Sequence, residues 1–371
     1  MAPRPTAPGP LAGLKLVEFA AIGPTPLAVT LLADLGADVI RIARPANAAS
    51  MFDDMGGPAL HRGRRYVRLD LKDPAARDQA LHLIAAADAL VEGLRPGVME
   101  KLGLGPDPCL ARNPRLVYAR MTGWGQSGPL AGQVGHDINY IGLSGALHAI
   151  GDANAPPTVP LNVIGDYGGG AMFLVAGVLA AVMAVRGGGP GQVVDVAMSE
   201  GSGFLMSVFY ALMACGHWRD ARGVNLLDGA APFYRCYACA DGRYVAVGAL
   251  EPAFFAALLD GLGLASTRFQ QYDIGDWPEM AAVFAERFKT RARDDWAAHF
   301  DGSDACVTPV LALGEAPNHP HQVARGGFFA RDGIALPAPA PRFAETPAQP
   351  SPPSQEVGLA QALAHWRAAT D

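Results

Sequence analysis

Short apolar runs alternate with stretches of helical period through the first third of the chain, and that rhythm predicts a β-α-β repeat. Leu14 to Phe19 reads as a strand. Thr25 then offers a helix N-cap with Pro26 at the first helical position. Leu27, Val29, Leu31, Leu32 and Leu35 suit one apolar helix face, and Gly36 ends it. Val39 to Ile42 is the next strand. Tyr66 to Leu71, Ala89 to Glu92 and Leu116 to Met121 continue the series, with a helix opened by Asp73-Pro74 and running to about Ala87. Strands separated by helices pair in parallel, because the chain must return to the same end before each new strand. The expectation is an α/β fold built on a doubly wound parallel sheet. Its first turn, Ala20-Ala21-Ile22-Gly23-Pro24, is not G-x-G-x-x-G, so a nicotinamide dinucleotide would lack its glycine cradle.

The pattern then changes. A long apolar helix follows Asp166 to about Arg186, closed by Gly187-Gly188-Gly189-Pro190. Its longest apolar run, Ala171 to Val185, is fifteen residues, too short to span a bilayer comfortably, so it reads as a buried helix. Gln192 to Val196 is a short strand, and one helix is expected from about Ser199 to Cys215. Phe233 to Ala240, Asp241-Gly242 and Arg243 to Gly248 form a hairpin signal, since Asp-Gly supplies the positive φ angles of a tight turn. Helices at Pro252 to Leu262 and Trp277 to Thr290, a proline-rich strap from Leu336 to Ser354 and a short helix from Gly358 to Ala368 complete the chain. The implied division is a large α/β domain at 1–196, a linker helix at 197–229, a smaller α+β domain at 230–316, a return linker at 317–330 and a strap at 331–371 that completes the large domain.

Composition narrows the function classes. Of 371 residues half are hydrophobic and 17% charged, which fits a globular chain with a large core. The net charge of -6 argues against a nucleic-acid partner. Five cysteines (Cys109, Cys215, Cys236, Cys239, Cys306) do not suggest a disulfide framework and fit a reducing cytoplasm. The proline-rich start has no apolar signal core, and Ala369-Thr370-Asp371 is not a peroxisomal signal. No membrane partner is expected.

Two segments carry the candidate chemistry. Gly135-His136-Asp137-Ile138-Asn139-Tyr140 offers an imidazole in a polar, glycine-flanked loop. Asn162-Val163-Ile164-Gly165-Asp166-Tyr167-Gly168-Gly169-Gly170 puts a carboxylate at the mouth of an apolar helix. An aspartate there is by default a cap. The three glycines, poor helix formers, suggest close approach to the backbone, and the helix start would favour developing negative charge. An imidazole and a carboxylate flanking one carbon could take a proton from one face and return it to the other, without a cofactor. Glu251, before Pro252, is either a helix-start acid or an orienting partner for His136. Arg44 and Arg95 follow strand ends, where ligands of open α/β sheets bind, so an anionic handle is a plausible guest, with Lys72 and Lys101 nearby. Arg62, Arg64 and Arg65, taken singly, read as solvated surface. Cys236 and Cys239, with Cys215 and His217, could in principle hold zinc, but strand residues three apart face opposite ways, so no metal is expected. G-x-S-x-G, H-E-x-x-H and the P-loop are absent.

The ordered segments GLKLVEFAAIGP, LADLGADVIRIARP, VEGLRPGVMEKLGLGP, YARMTGWGQSGP, GHDINY, NVIGDYGGG, GQVVDVAMSEGS, LDGAAPFYRCYACADGRYVAVGALEP and SDACVTPVL resemble the family III coenzyme A transferases, and within them the α-methylacyl-CoA racemases. The likeness covers nearly the whole chain, the first ten residues standing as an extension. In that family the aspartate at the position of Asp166 is an acyl-accepting nucleophile in transferases and an acid/base group in racemases. A histidine at the position of His136 marks the racemases. The resemblance implies catalytic roles for His136, Asp166 and Glu251, with Asp137, Tyr140 and Asn162 in support. It implies contacts to the acyl-CoA substrate at Ile22, Arg44, Asp70, Leu71, Lys72, Gly93, Leu94, Arg95 and Lys101, and along Gly135, Ile138 and Asn139. Leu94 stands where the family often has an aromatic. It further implies an interlocked homodimer and no cofactor, coenzyme A being part of the substrate.

Overall fold

The computed structural model describes residues 9–48 and 56–368. Most of the proline-rich start and the last three residues, read above for targeting, lie outside the described residues. The chain falls into two units. Unit 1 takes the residues up to 144, 160–206 and those from 326 on, and unit 2 takes 145–159 and 207–325. The segment 145–159 joins unit 2 because Arg222 donates to the carbonyls of Asp152 and Ala155 at 3.1 and 2.5 Å.

Unit 1 is built on a seven-stranded sheet: β1 (Lys15–Phe19), β2 (Asp38–Ala43), β3 (Arg64–Arg68), β4 (Ala89–Glu92), β5 (Val117–Thr122), β6 (Gln192–Ala197) and a final short strand (Gln355–Glu356) that pairs with β3. The spatial order is final strand-β3-β2-β1-β4-β5-β6, and every pair is parallel. The chain winds outward from β1 in one direction, then returns to β4 on its other side. The switch point therefore lies between β1 and β4, the place at which open sheets of this kind bind ligands. Apolar side chains fill both faces. Leu14, Leu16, Val29, Leu32 and Val178 belong to one core, and Val17, Phe19, Ile40, Leu83 and Trp366 to the other.

Several expectations shift. The first helix runs Pro24–Asp34 with Gly23, at φ 75°, as its N-cap, so Thr25 lies inside it; proline is already suited to the first turn. β3 begins two residues before the expected Tyr66, because Arg64 is an interior residue. Its guanidinium meets Glu18 of β1 at 2.5 Å, both side chains fully buried. Arg62 is likewise held by Asp34 at 2.6 Å, so this basic run is largely structural rather than solvated surface. The expected helix from Ser199 to Cys215 is two helices, Met198–Leu205 and Ser207–Ala214, with Met206 as the C-cap of the first.

The apolar helix is also longer than its fifteen-residue core suggests. A π-helical segment, Val163–Met172, leads directly into the α-helix Phe173–Arg186. The 24 residues are long and apolar enough to cross a bilayer by length and composition alone. In the fold, Leu174, Val175, Val178, Ala181, Val182 and Val185 recur at helical spacing and are buried. Each of the leucine and valine side chains contributes about 1.5–3 kcal/mol of burial.

Unit 2 carries the antiparallel sheet β7 (Tyr234–Ala238), β8 (Tyr244–Gly248) and β9 (Val307–Pro309). Gly242, at φ 75°, turns the β7–β8 hairpin. Helices Pro252–Gly261, Trp277–Phe288 and Arg293–Phe300 supply Phe255, Phe284, Phe288 and Trp296 to its core.

Candidate active site

His136 stands at the N-cap of the helix Asp137–Leu143 rather than in a free loop. Its carbonyl accepts the Asn139 and Tyr140 amides at 2.8 and 3.3 Å, and its own amide donates to Asn139 Oδ1 at 3.0 Å. Three hydrogen bonds thus hold the backbone while the residue itself stays exposed. Tyr140, buried in the first turn of that helix, is the strut beneath it. Its hydroxyl donates to the Gly135 carbonyl, and its ring meets Trp124 edge-on at 4.8 Å. A Cβ on Gly123 or Gly135 would fall 2.0 or 2.8 Å from that ring, so both positions need glycine. Burial, helped by the charges of Asp166 and Asp137, pushes the Tyr140 phenol up to about 12.

Asp166 is not a cap. Asn162 occupies the N-cap, and Asp166 sits in the first turn of the π-helical segment. Segments of this kind recur at functional sites. A first-turn amide has no partner within its own helix. The Asp166 amide finds one in Asp137 Oδ1 at 2.7 Å. A Cβ on Gly165 would lie 2.5 Å from that same oxygen, which explains a glycine before Asp166. Asp137 is buried, and its other oxygen, Oδ2, has no hydrogen-bond partner among the described residues. One residue therefore ties the segment after His136 to the backbone of Asp166.

The Asp166 carboxyl is half-buried. Oδ2 accepts from Asn162 Nδ2 at 3.0 Å and lies 3.8 Å from where a Cβ on Gly23 would be. That places it beside the turn after β1, at the switch point of the sheet. Burial pushes the carboxyl above the usual aspartate range; the Asn162 amide opposes this, the Asp137 charge adds to it and His136 opposes it. His136 thus lies within electrostatic reach of the Asp166 carboxyl. A carboxyl raised by burial and an exposed imidazole are both groups able to accept and donate protons.

The three glycines after Asp166 serve a different purpose from the one their sequence suggests. A Cβ on Gly169 would be 2.4 Å from the Ser202 amide nitrogen, and one on Gly201 would be 1.9 Å from the Gly169 carbonyl oxygen. Another helix, not a ligand, makes the close approach. Gly201→Ala is therefore expected to force the two segments apart and destabilise unit 1 by about 1–3 kcal/mol, read as a lower denaturation midpoint; an unchanged midpoint would refute this packing.

The candidate handle contacts share one rim. Ile22 follows β1, Arg44 follows β2, Asp70-Leu71-Lys72 follows β3, and Gly93-Leu94-Arg95 follows β4. Lys101 ends the helix Val98–Lys101 just beyond. Ile22, Arg44, Asp70, Lys72, Arg95 and Lys101 are exposed. Gly93 is held against Thr25, whose Oγ1 would lie 2.7 Å from a Cβ there. At the β1–β3 end of the rim, a cavity of about 210 Å³ is lined by Arg41, Arg44, His61, Arg64, Tyr66 and Arg68. Arg41, His61 and Arg68 were not singled out from sequence. Arg41 and Arg68 lie inside strands, and their shared rim appears only once β2 and β3 are in register.

Glu251 is exposed at the N-cap of the helix Pro252–Gly261 in unit 2, near enough to Cys306 for its charge to act on that thiol. Ile138 and Asn139 are exposed in the first turn after His136, and Gly135 precedes it. Cys236 is exposed and Cys239 buried. Among the described residues, no group of three or more His, Cys, Asp or Glu side chains is placed to hold a metal ion.

The sequence model of CoA-transferase family III matches residues 11–358. The chain belongs to this family. It is 44% identical over 344 residues to the alpha-methylacyl-CoA racemase of Mus musculus, covering 92% of this chain and 88% of that protein. It is 42% identical over 343 residues to the alpha-methylacyl-CoA racemase of Homo sapiens, with the same coverage of 92% and 88%. Among solved structures, a CAIB/BAIF family protein from Brucella suis superposes with a TM-score of 0.78 at 26% identity, covering 98% of this chain and 100% of that one.

Proposed function

We propose that this chain is an isomerase that inverts the 2-position of 2-methyl-branched acyl-CoA thioesters by two-base 1,1-proton transfer. The observation that carries the reading is the Asp166 carboxyl, raised by burial and set within electrostatic reach of His136. The thioester carbonyl acidifies the α-hydrogen. His136 removes it from one face, leaving an enolate, and protonated Asp166 returns a proton to the other face. For the opposite enantiomer the roles reverse. The amide-rich start of the π-helical segment supports the enolate oxygen, but the Asp166 amide takes no part, since Asp137 holds it. The arginine-lined rim suits the phosphates of the coenzyme A handle. No cofactor is required, because coenzyme A arrives with the substrate.

The proposal extends to assembly. The helix Ser207–Ala214, SVFYALMA, contains no buried residue, although most of its side chains are apolar. A second copy of the chain is its natural cover, and an interlocked homodimer would let Glu251 of the partner subunit orient His136. The five free cysteines suit a reducing, cytoplasmic setting. Neither a nucleic acid nor a membrane enters the scheme.

A family III transferase would use the same Asp166 as an acyl-accepting nucleophile and would require an acceptor acid. A non-catalytic acyl-CoA binding protein would exchange no α-hydrogen. A single enantiomer of a 2-methylacyl-CoA incubated in deuterated water separates the three. Label uptake with inversion is expected; thioester exchange onto an added acid without label would establish the transferase instead.

The electrostatics predict two opposite shifts in the pH profile. Where Asp166 acts as base, the rate falls as pH drops through its pKa. Asn162→Ala removes a donor that lowers that pKa, so the acid limb should move to higher pH. Asp137→Asn removes a like charge that raises it, so the limb should move to lower pH. Shifts in the same direction would contradict the assignment.

A further inference from the structure

Arg120 on β5 is buried, and the proton-transfer scheme does not use it. Its strand neighbour in register is Glu92, the last residue of β4, also buried. Arg120 Nε donates to Glu92 Oε1 at 2.8 Å. The other end of the guanidinium forks onto Glu100, with Nη1 to Oε1 at 2.6 Å and Nη2 to Oε2 at 3.2 Å. Glu92 Oε2 in turn accepts the Leu94 amide at 2.7 Å. One side chain therefore joins the end of β4, the turn that follows it and the helix Val98–Lys101. Those three pieces carry Gly93, Leu94, Arg95 and Lys101.

The charges reinforce the geometry. Burial raises the Glu92 carboxyl, and the Leu94 amide and Arg120 pull it back. Arg120 holds Glu100 below the usual carboxylate range. A guanidinium can fork onto two carboxylates at once, whereas a lysine is a single point charge.

We propose that Arg120 is a positioning residue for the coenzyme A handle: the Glu92–Arg120–Glu100 clamp presets the Gly93–Arg95 turn and the Lys101 helix before substrate arrives. Preorganisation of this kind raises affinity by removing the ordering cost from the binding step. The inference rests on the acyl-CoA reading above.

Calorimetric titration of the full chain with coenzyme A tests it without requiring turnover. Glu100→Gln, at a side chain 45% exposed, should weaken binding by roughly tenfold, the scale of one charge-assisted hydrogen bond. Arg120→Lys should weaken it further. With a 2-methylacyl-CoA as substrate, KM should rise by the same factor while kcat stays within about twofold, a split that loss of folded protein alone would not produce. Wild-type affinity in folded Glu100→Gln and Arg120→Lys overturns the clamp alone. Failure of the wild-type chain to bind coenzyme A overturns the acyl-CoA reading and the clamp with it. If Arg120→Lys does not fold, Glu100→Gln decides.

Discussion

Alanine at His136 or at Asp166 is expected to cut inversion by roughly 100- to 10,000-fold, the usual contribution of a positioned acid or base. The fold should survive both changes, which makes the loss chemical. The three hydrogen bonds that fix His136 to Asn139 and Tyr140 all use its backbone, and these persist in the alanine variant. The bond from Asp166 to Asp137 is likewise a backbone amide, so Asp166→Ala loses only the contact with Asn162. Denaturation midpoints close to wild type, together with collapsed inversion rates, are the expected pair of results. Near-wild-type inversion in either variant would remove that residue from the scheme.

Glu18→Ala should destabilise unit 1 by about 3–5 kcal/mol, the cost of leaving a buried charge without its partner. Arg64 would keep its donations to the carbonyls of Pro26 at 2.7 Å and Leu60 at 3.1 Å, and to Thr30 Oγ1 at 3.0 Å, but lose its counter-charge inside the sheet. The double variant Glu18→Leu with Arg64→Met should recover much of the loss, since apolar replacements of similar volume often match a buried pair. Urea denaturation of Glu18→Leu, Arg64→Met and the double variant measures the coupling. Additive effects would mean that the two side chains do not stabilise each other. Arg64 also lines the cationic cavity, so coenzyme A affinity offers an independent readout of the same change.

Much of the fold could be read from local chemistry. Asp73 caps the helix Pro74–Ala85 through its side chain, as its place before proline suggests. The Asp241-Gly242 hairpin and the sequence of parallel strands follow from turn residues and periodicity. What stayed hidden depends on partners far along the chain. Arg64 looks like a surface cation until Glu18, 46 positions away, is placed beside it. Gly169 looks like a ligand-facing glycine until Gly201 crosses it.

The site divides in the same way. His136 and Asp166 declare themselves by residue type and setting, 30 positions apart. The bond that ties their segments together, from the Asp166 amide to Asp137, spans 29 residues and requires a π-helical first turn that no local pattern announces. Arg120 gives no sequence signal at all, because its role lies in joining Glu92 and Glu100 across neighbouring elements.

The central claim is that His136 and Asp166 serve opposite faces of one carbon. It is tested most directly by incubating each pure enantiomer of a 2-methylacyl-CoA in deuterated water with His136→Ala and with Asp166→Ala, then measuring label and configuration. Each variant keeps one base, so each should still label one enantiomer without inverting it, and the two variants should label opposite enantiomers. Labelling of the same enantiomer by both, or of neither by either, would contradict the account.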